Sequence, residues 1–423
     1  MKTIAVRLYG KNDLRLEEFE LPPVKNDEIL ARIVTDSICM STYKAVIQGK
    51  THRRVPDDVD KNPVIIGHEF CGEIIEVGSA LRDKYHPGMK FTVQTALNRK
   101  DDPNAAPGYS YRYIGGSATH VIIPREVMEL GCLLEYKGDA YFYGSLAEPM
   151  SCIIGAFHAV YHTEAGKYVH EMGIKPGGNM AILAGVGPMG LGAIDYAIHA
   201  ERKPSRLVVT DIDKARLKRA SRLYTAEEAK KNGIELVYVD ASAVEDPVGA
   251  LLNITGGEGY DDVFVFAPVK SVIEQGDKIL RKDGCLNFFA GPVDPAFTAG
   301  VNFYNVHYNL THIMGTTGGN TDDMAEALEM MADGRINPSS MITHIGGLDS
   351  VIETIMNLPE IPGGKKLIYN NISMELTALD ELREKADQNP LFLRLAEIVE
   401  ANNGLWCGEA EKYLLENAKP IAL

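Results

Sequence analysis

The sequence predicts an α/β protein in two domains, a doubly wound parallel sheet joined to a β-rich domain. Three observations predict it. The chain has 423 residues, too many for one compact core, so it divides. From about residue 150, short apolar runs alternate with helical segments, the pattern of a parallel sheet covered on both faces. Before residue 150, short β-prone runs are punctuated by Gly, Pro and Asp without clear long helices between them.

The elements follow in order. Strands are expected at Thr3–Leu8, Glu28–Thr35, Val64–Val77 and Ala118–Ile123, forming a partly open barrel or sandwich. In the second region Met180–Ala184 reads as a strand and Met189–Ala200 as a helix. Strand Arg206–Thr210, a charged helical run from Lys214 and strand Leu236–Val239 come next. Tyr224–Gly233 reads as a solvated insertion in one crossover. Asp262–Phe266 and Cys285–Ala290 read as two more strands. After Gly315, Met and Leu recur at helical spacing in Asp322–Ala332, which is core packing of a helix. From Asn371 onward the chain reads as additional helices, Pro390–Ala401 among them, and this stretch holds the one tryptophan, Trp406.

Composition limits the function. Hydrophobic residues make up 45% and charged residues 24%, ordinary for a globular protein. The net charge of −15 argues against nucleic-acid binding, which needs clustered cations, and against docking to an anionic membrane. It leaves room for a local basic pocket. The start, MKTIAVRLYGKND, has no long apolar run, and Met180–Ile194 is shorter than a membrane span and carries four glycines. A cytoplasmic protein is expected. No two of the six cysteines have CxxC spacing, so each is expected to be a reduced thiol unless shown otherwise.

Gly185-Val186-Gly187-Pro188-Met189-Gly190 is the strongest motif. It follows the strand MAILA and opens a helix. The first glycine permits the tight turn, the second lets the backbone approach a pyrophosphate, and the third lets helix and strand pack closely. Free N–H groups at the helix start then bind phosphate. Asp211, at the end of the next strand, is placed to accept hydrogen bonds from the adenosine ribose. Its charge favours NAD(H). Arg216, five residues on, weakens that preference and leaves NADP(H) open.

A second constellation is spread through the first domain: Cys39 in Ser-Ile-Cys-Met-Ser-Thr-Tyr-Lys, His68 and Glu69 in Gly-His-Glu-Phe, and Glu148 in Ala-Glu-Pro-Met-Ser-Cys. Singly, each has an ordinary structural reading, and spacing alone does not bring them together. Their order, followed by GVGPMG, resembles the zinc-containing medium-chain dehydrogenase/reductase family over about residues 1 to 370. The resemblance implies a GroES-like catalytic domain over 1–151, a Rossmann domain over 152–315, a return to the catalytic domain over 316–370 and a helical extension over 371–423. It also implies one catalytic zinc held by Cys39, His68 and Glu148, with an open fourth position. Glu69 is then an alternative ligand or acts through a bound water. Ser41 matches the hydroxyl that touches the substrate oxygen and passes its proton while zinc polarises that oxygen.

Departures from the family pattern are informative. Gln94–Gly116 contains no cysteine, so a second, structural zinc of the four-cysteine type is not expected. The Asp that usually supports the zinc-bound histidine is Thr42 here, which leaves the support of His68 open. Lys44 replaces a histidine that finishes the proton relay; it either exchanges protons or binds an anionic group.

The cysteine-free loop, the Cys39 and Glu148 segments and the long C-terminal extension resemble one branch in particular, the reductases that convert a ketose phosphate such as L-sorbose 1-phosphate to a hexitol phosphate. Such a substrate needs cations near the zinc. Lys44, Arg53, Arg54 and Arg112 are the expected ones. Competing readings are a neutral-polyol or amino-alcohol dehydrogenase, a zinc-free quinone-reductase-like relative, and a non-catalytic nucleotide-binding regulator. The family resemblance implies a homodimer or homotetramer.

Overall fold

The computed structural model describes residues 1–387 and 389–422. Its contacts gather two units: Met1–Pro149 with Asn320–Ala332 and Pro338–Leu423, and Met150–Gly319 with Asp333–Asn337. No helix among the described residues is long and apolar enough to cross a membrane.

The second unit holds a six-stranded parallel sheet. Its strands lie in the order Glu235–Asp240, Arg206–Asp211, Asn179–Leu183, Tyr260–Val265, Leu280–Phe288 and His312–Met314. Counted along the unit's own sheet this is 3-2-1-4-5-6, the doubly wound nucleotide-binding order. Strand Asn179–Leu183 is buried throughout, as a strand covered on both faces must be. The expected insertion is a short helix, Ala226–Lys231, capped by the Thr225 hydroxyl.

The first unit is built on an eight-stranded, mostly antiparallel sheet. Its central strand, Ile29–Ile38, pairs with Phe70–Val77, with His120–Ile123 and with Lys365–Tyr369. A smaller sheet joins Lys2–Gly10 to Asp13–Glu20 and Val64–Ile65. Cores of Val, Ile, Leu and Phe fill both faces; one packs Ile29, Ile33, Phe70 and Phe91, another Val6, Leu8, Val46 and Ile368.

Two local departures from the sequence pattern place the site. Val64–Val77 is not one strand: it breaks between Ile65 and Phe70. Gly67 sits there at φ +90°, and a Cβ on it would fall on the Asp36 carboxylate and the Ser117 backbone. Only glycine fits, and the break turns His68 and Glu69 into the interior, where both are buried. The second departure is a helix, Met40–Gln48, starting at Cys39 and burying Thr42, Ala45 and Val46. It is short and weakly patterned, so periodicity alone did not reveal it.

The C-terminal segment belongs to the first unit. Thr377–Ala378 adds an antiparallel strand beside Ile342–Gly347, a strand where only helices were expected. Helices Pro390–Ala401 and Gly408–Asn417 follow. Leu395, Val399, Trp406 and Leu414 pack against Phe142, Leu146 and Leu367.

Candidate active site

Cys39, His68 and Glu69 come together: a thiol sulfur, an imidazole nitrogen and a carboxylate oxygen lie within 4.8 Å of one another. Helix geometry supplies the neighbours. Cys39 precedes the helix, and Ser41 and Thr42 occupy its first turn. The Ser41 hydroxyl lies 3.0 Å from Cys39 Sγ and 3.1 Å from His68 Nε2. Thr42 Oγ1 lies 3.1 Å from His68 Nδ1. Thr42 therefore fills the supporting role that the sequence left open: its hydroxyl fixes the ring so that Nε2 faces the donor cluster.

Glu69 is held on both sides. Ser37 Oγ donates to it, and the Lys365 ammonium donates to both of its oxygens. Lys365 and Glu69 side chains are only 4% and 1% exposed, so this is a buried ion pair. Burial alone would lower the Lys365 pKa; Glu69, with Cys39, instead holds it above the ordinary lysine range. Burial, with Glu69 adding to it, pushes the Cys39 thiol up to about 11, and burial pulls His68 down to about 4.

Glu148 lies in helix Tyr141–Ala159, immediately before Pro149. It is buried and near enough to act electrostatically on Lys365 and Tyr109. Its carboxylate is outside the tight cluster.

Tyr109, which belongs to no recognisable motif, walls the site. Its hydroxyl is 3.3 Å from His68 Nε2, and its ring tilts against His68 and stacks on His52. The Arg54 guanidinium lies over the same ring at 5.2 Å. Burial, and then Arg54, Arg53 and Lys44, push His52 down to about 4. Three of the four expected cations therefore act on one imidazole beside the cluster. Lys44 is half-buried; burial lowers its pKa and Cys39 opposes this. Arg53 and Arg54 also line a cleft of about 310 Å³ with Arg99, Asn104, Ser110 and Tyr111. Arg99 is already committed to Asp101 and Glu126. Arg112 is exposed, lies over the ring of Tyr113 and does not line that cleft.

In the second unit, the glycine loop has the expected form. A Cβ on Gly190 would strike the Gly185 carbonyl, whereas beside Gly187 the space is open, as a close-approaching phosphate requires. Gly187 precedes helix Pro188–His199, which has Pro188 and Met189 at its start and no acidic residue in its first turn. Asp211 accepts from the Val186 backbone N–H at 3.3 Å and so ties the loop to the neighbouring strand. Arg216 lies 3.4 Å from Asp213.

Comparison with known proteins agrees with this anatomy. Residues 25–131 match the alcohol dehydrogenase GroES-like domain, and residues 188–333 match the zinc-binding dehydrogenase domain. The chain is 53% identical to mannitol-1-phosphate 5-dehydrogenase of Aliivibrio fischeri, over 98% of each chain. It is 50% identical to L-sorbose 1-phosphate reductase of Klebsiella pneumoniae, over 99% of this chain and 98% of the other. The fold matches 2R,3R-butanediol dehydrogenase of Bacillus subtilis with a TM-score of 0.69 at 21% identity, covering 87% of this chain and all of that one. The protein belongs to the zinc-binding dehydrogenase family. It is a dehydrogenase whose cofactors are zinc and a nicotinamide nucleotide.

The donor set suits zinc: a thiol, an imidazole and a carboxylate are its ordinary ligands, His68 and Glu69 are buried with Cys39 partly so, and hydroxyls support them.

Proposed function

We propose that this protein interconverts a ketose phosphate and a hexitol phosphate with NAD(H), of the L-sorbose 1-phosphate to D-glucitol 6-phosphate type. One observation carries the reading: Arg54 lies over the tyrosine that stacks on His52 and walls the Cys39–His68 cluster, and the charges of Lys44 and Arg53 act on the same His52. Two relatives of at least half identity are named for phosphorylated hexitol or ketose substrates, which supports it. Asp211, with Asp213 engaging Arg216, favours NAD(H) over NADP(H) by charge.

Cys39, His68 and Glu148 would hold one zinc. Charge decides between Glu148 and Glu69. A thiolate and one carboxylate neutralise a divalent ion, while Glu69 and Lys365 neutralise each other. Drawing Glu69 into the metal shell would strand a buried lysine charge. Zinc there supplies the positive charge that polarises the reacting oxygen, and the nicotinamide carries the hydride. The chain's own groups do the rest. Ser41 touches both Cys39 and His68, so in oxidation its hydroxyl accepts the proton of the substrate alcohol while passing its own to solvent, and both transfers reverse in reduction. Thr42 holds His68 in register. Lys44 and Arg54 bind the phosphate and fix which carbon faces the site, so that the hexitol phosphate loses one hydride and one proton and becomes the ketose phosphate.

Lys44→Ala and Arg54→Ala test the assignment against a hexitol phosphate and the same hexitol without phosphate. Each lost charged hydrogen bond, about 1.5–3 kcal/mol, should lower kcat/KM for the phosphate by about 10- to 100-fold, mainly through KM. Equal losses on both substrates would remove the phosphate role.

A further inference from the structure

The C-terminal segment carries a buried carboxylate, Glu411, that touches the helix bearing Glu148 and the strand bearing Lys365. Glu411, in helix Gly408–Asn417, accepts the Tyr141 and Phe142 backbone N–H groups at 2.5 and 3.0 Å. Those are the first residues of the helix that carries Glu148 about two turns further on. The other Glu411 oxygen contact is the Tyr369 hydroxyl, which donates at 2.9 Å. Tyr369 ends the strand that begins with Lys365, the partner of Glu69. The Trp406 indole N–H donates to the same tyrosine oxygen at 2.7 Å. Phe142, Tyr369 and Trp406 belong to one apolar core that also contains Leu146, two residues before Glu148.

We propose that Glu411 is a positioning residue for the metal centre: through it, the C-terminal segment sets the placement of Glu148 and Lys365 and thereby the affinity for zinc. The inference rests on the reading that Cys39, His68 and Glu148 hold zinc. Its physical logic is that of an outer support. A carboxylate at a helix start satisfies two otherwise orphan N–H groups and is favoured by the helix dipole. The same carboxyl group accepts the tyrosine O–H hydrogen bond, so helix and strand cannot shift independently. Apolar packing alone would permit sliding; three directed bonds to one group do not.

The molecule carries its own reporter, because Trp406 is the single tryptophan. The experiment titrates zinc into chelator-treated full-length protein, reading Trp406 emission and metal binding together. In the native chain, emission should change and saturate at one zinc per chain. Glu411→Gln, whose single carbonyl oxygen cannot satisfy all three donors, should bind zinc about 10-fold more weakly. Native-like circular dichroism shows that the variant is folded, and its NADH affinity, a property of the other unit, should stay unchanged. Arg394→Ala, which removes only exposed ion pairs on the same segment, should bind zinc as the native chain does. Native zinc affinity in Glu411→Gln, or zinc binding without any change in Trp406 emission, would overturn the proposal. Absence of zinc binding in the native chain would instead overturn the metal reading beneath it.

Discussion

Removing Lys365 should expose how the centre keeps its charges balanced. Lys365→Met preserves length and apolar bulk but deletes the ammonium that donates to both Glu69 oxygens. Glu69 is 1% exposed, so water cannot replace the lost partner, and Ser37 remains as its one hydroxyl donor. An uncompensated buried carboxylate costs about 3–5 kcal/mol. Lys365→Met/Glu69→Gln removes both charges and should recover most of that, because a buried pair contributes little net stability over neutral groups. The coupling between the two substitutions should therefore be about 3 kcal/mol in a double-mutant cycle. The assay is urea unfolding followed by circular dichroism with chelator present, so that metal linkage does not enter. A single variant losing less than about 1 kcal/mol, or a double variant no better than the single, would refute the reasoning.

Further expectations follow from named contacts. Thr42→Val removes the hydroxyl beside His68 Nδ1 at nearly constant volume; zinc affinity by competitive chelation should fall about 10- to 100-fold, and unchanged affinity would show that Thr42 does not orient the ring. Asp211→Ser should raise the NADPH to NADH ratio of kcat/KM by about 10-fold or more, since it removes the carboxylate that repels the extra phosphate; an unchanged ratio would count against that role. Burial, opposed by its hydrogen bonds, raises Glu411 from 4.5 to about 7. A carboxylate raised on folding contributes stability that is full below about 4.5 and lost as pH rises through about 7, worth about 3 kcal/mol. Lys90 faces Glu411 as a cation, with Cys71, Tyr136, Tyr143 and Tyr369 as titratable neighbours. Urea midpoints should fall between pH 5 and 7.5 more steeply in the native chain than in Glu411→Gln, and parallel curves would contradict the titration.

Much of the architecture was legible because it rests on local rules. The parallel sheet announced itself through buried strands alternating with helices. The glycine loop did so through residues whose spacing the phosphate dictates. Pro390–Ala401 was visible because Pro390 opens it and Asn389 caps it. The site was legible only in pieces. Cys39, His68 and Ser41 could be named through the family resemblance, yet what supports His68 could not, because a threonine in place of an acid reads as a loss until its hydroxyl is seen beside Nδ1. Lys365 was invisible: it lies 296 residues from Glu69, in a strand that returns from beyond the nucleotide-binding unit, and a lysine pair opening a short strand carries no signature. Tyr109 and Glu411 were hidden for the same reason. Their partners are backbone and rings far away in sequence, and topology rather than pattern delivers them.

The central claim is tested most directly by one comparison on metal-assayed protein: NAD+-linked oxidation of a hexitol phosphate against the same unphosphorylated hexitol. About one zinc per chain is expected, with a kcat/KM about 100-fold or more higher for the phosphate, the sum of about two charged contacts. Equal rates on the two substrates, or full activity in protein without zinc, would contradict it.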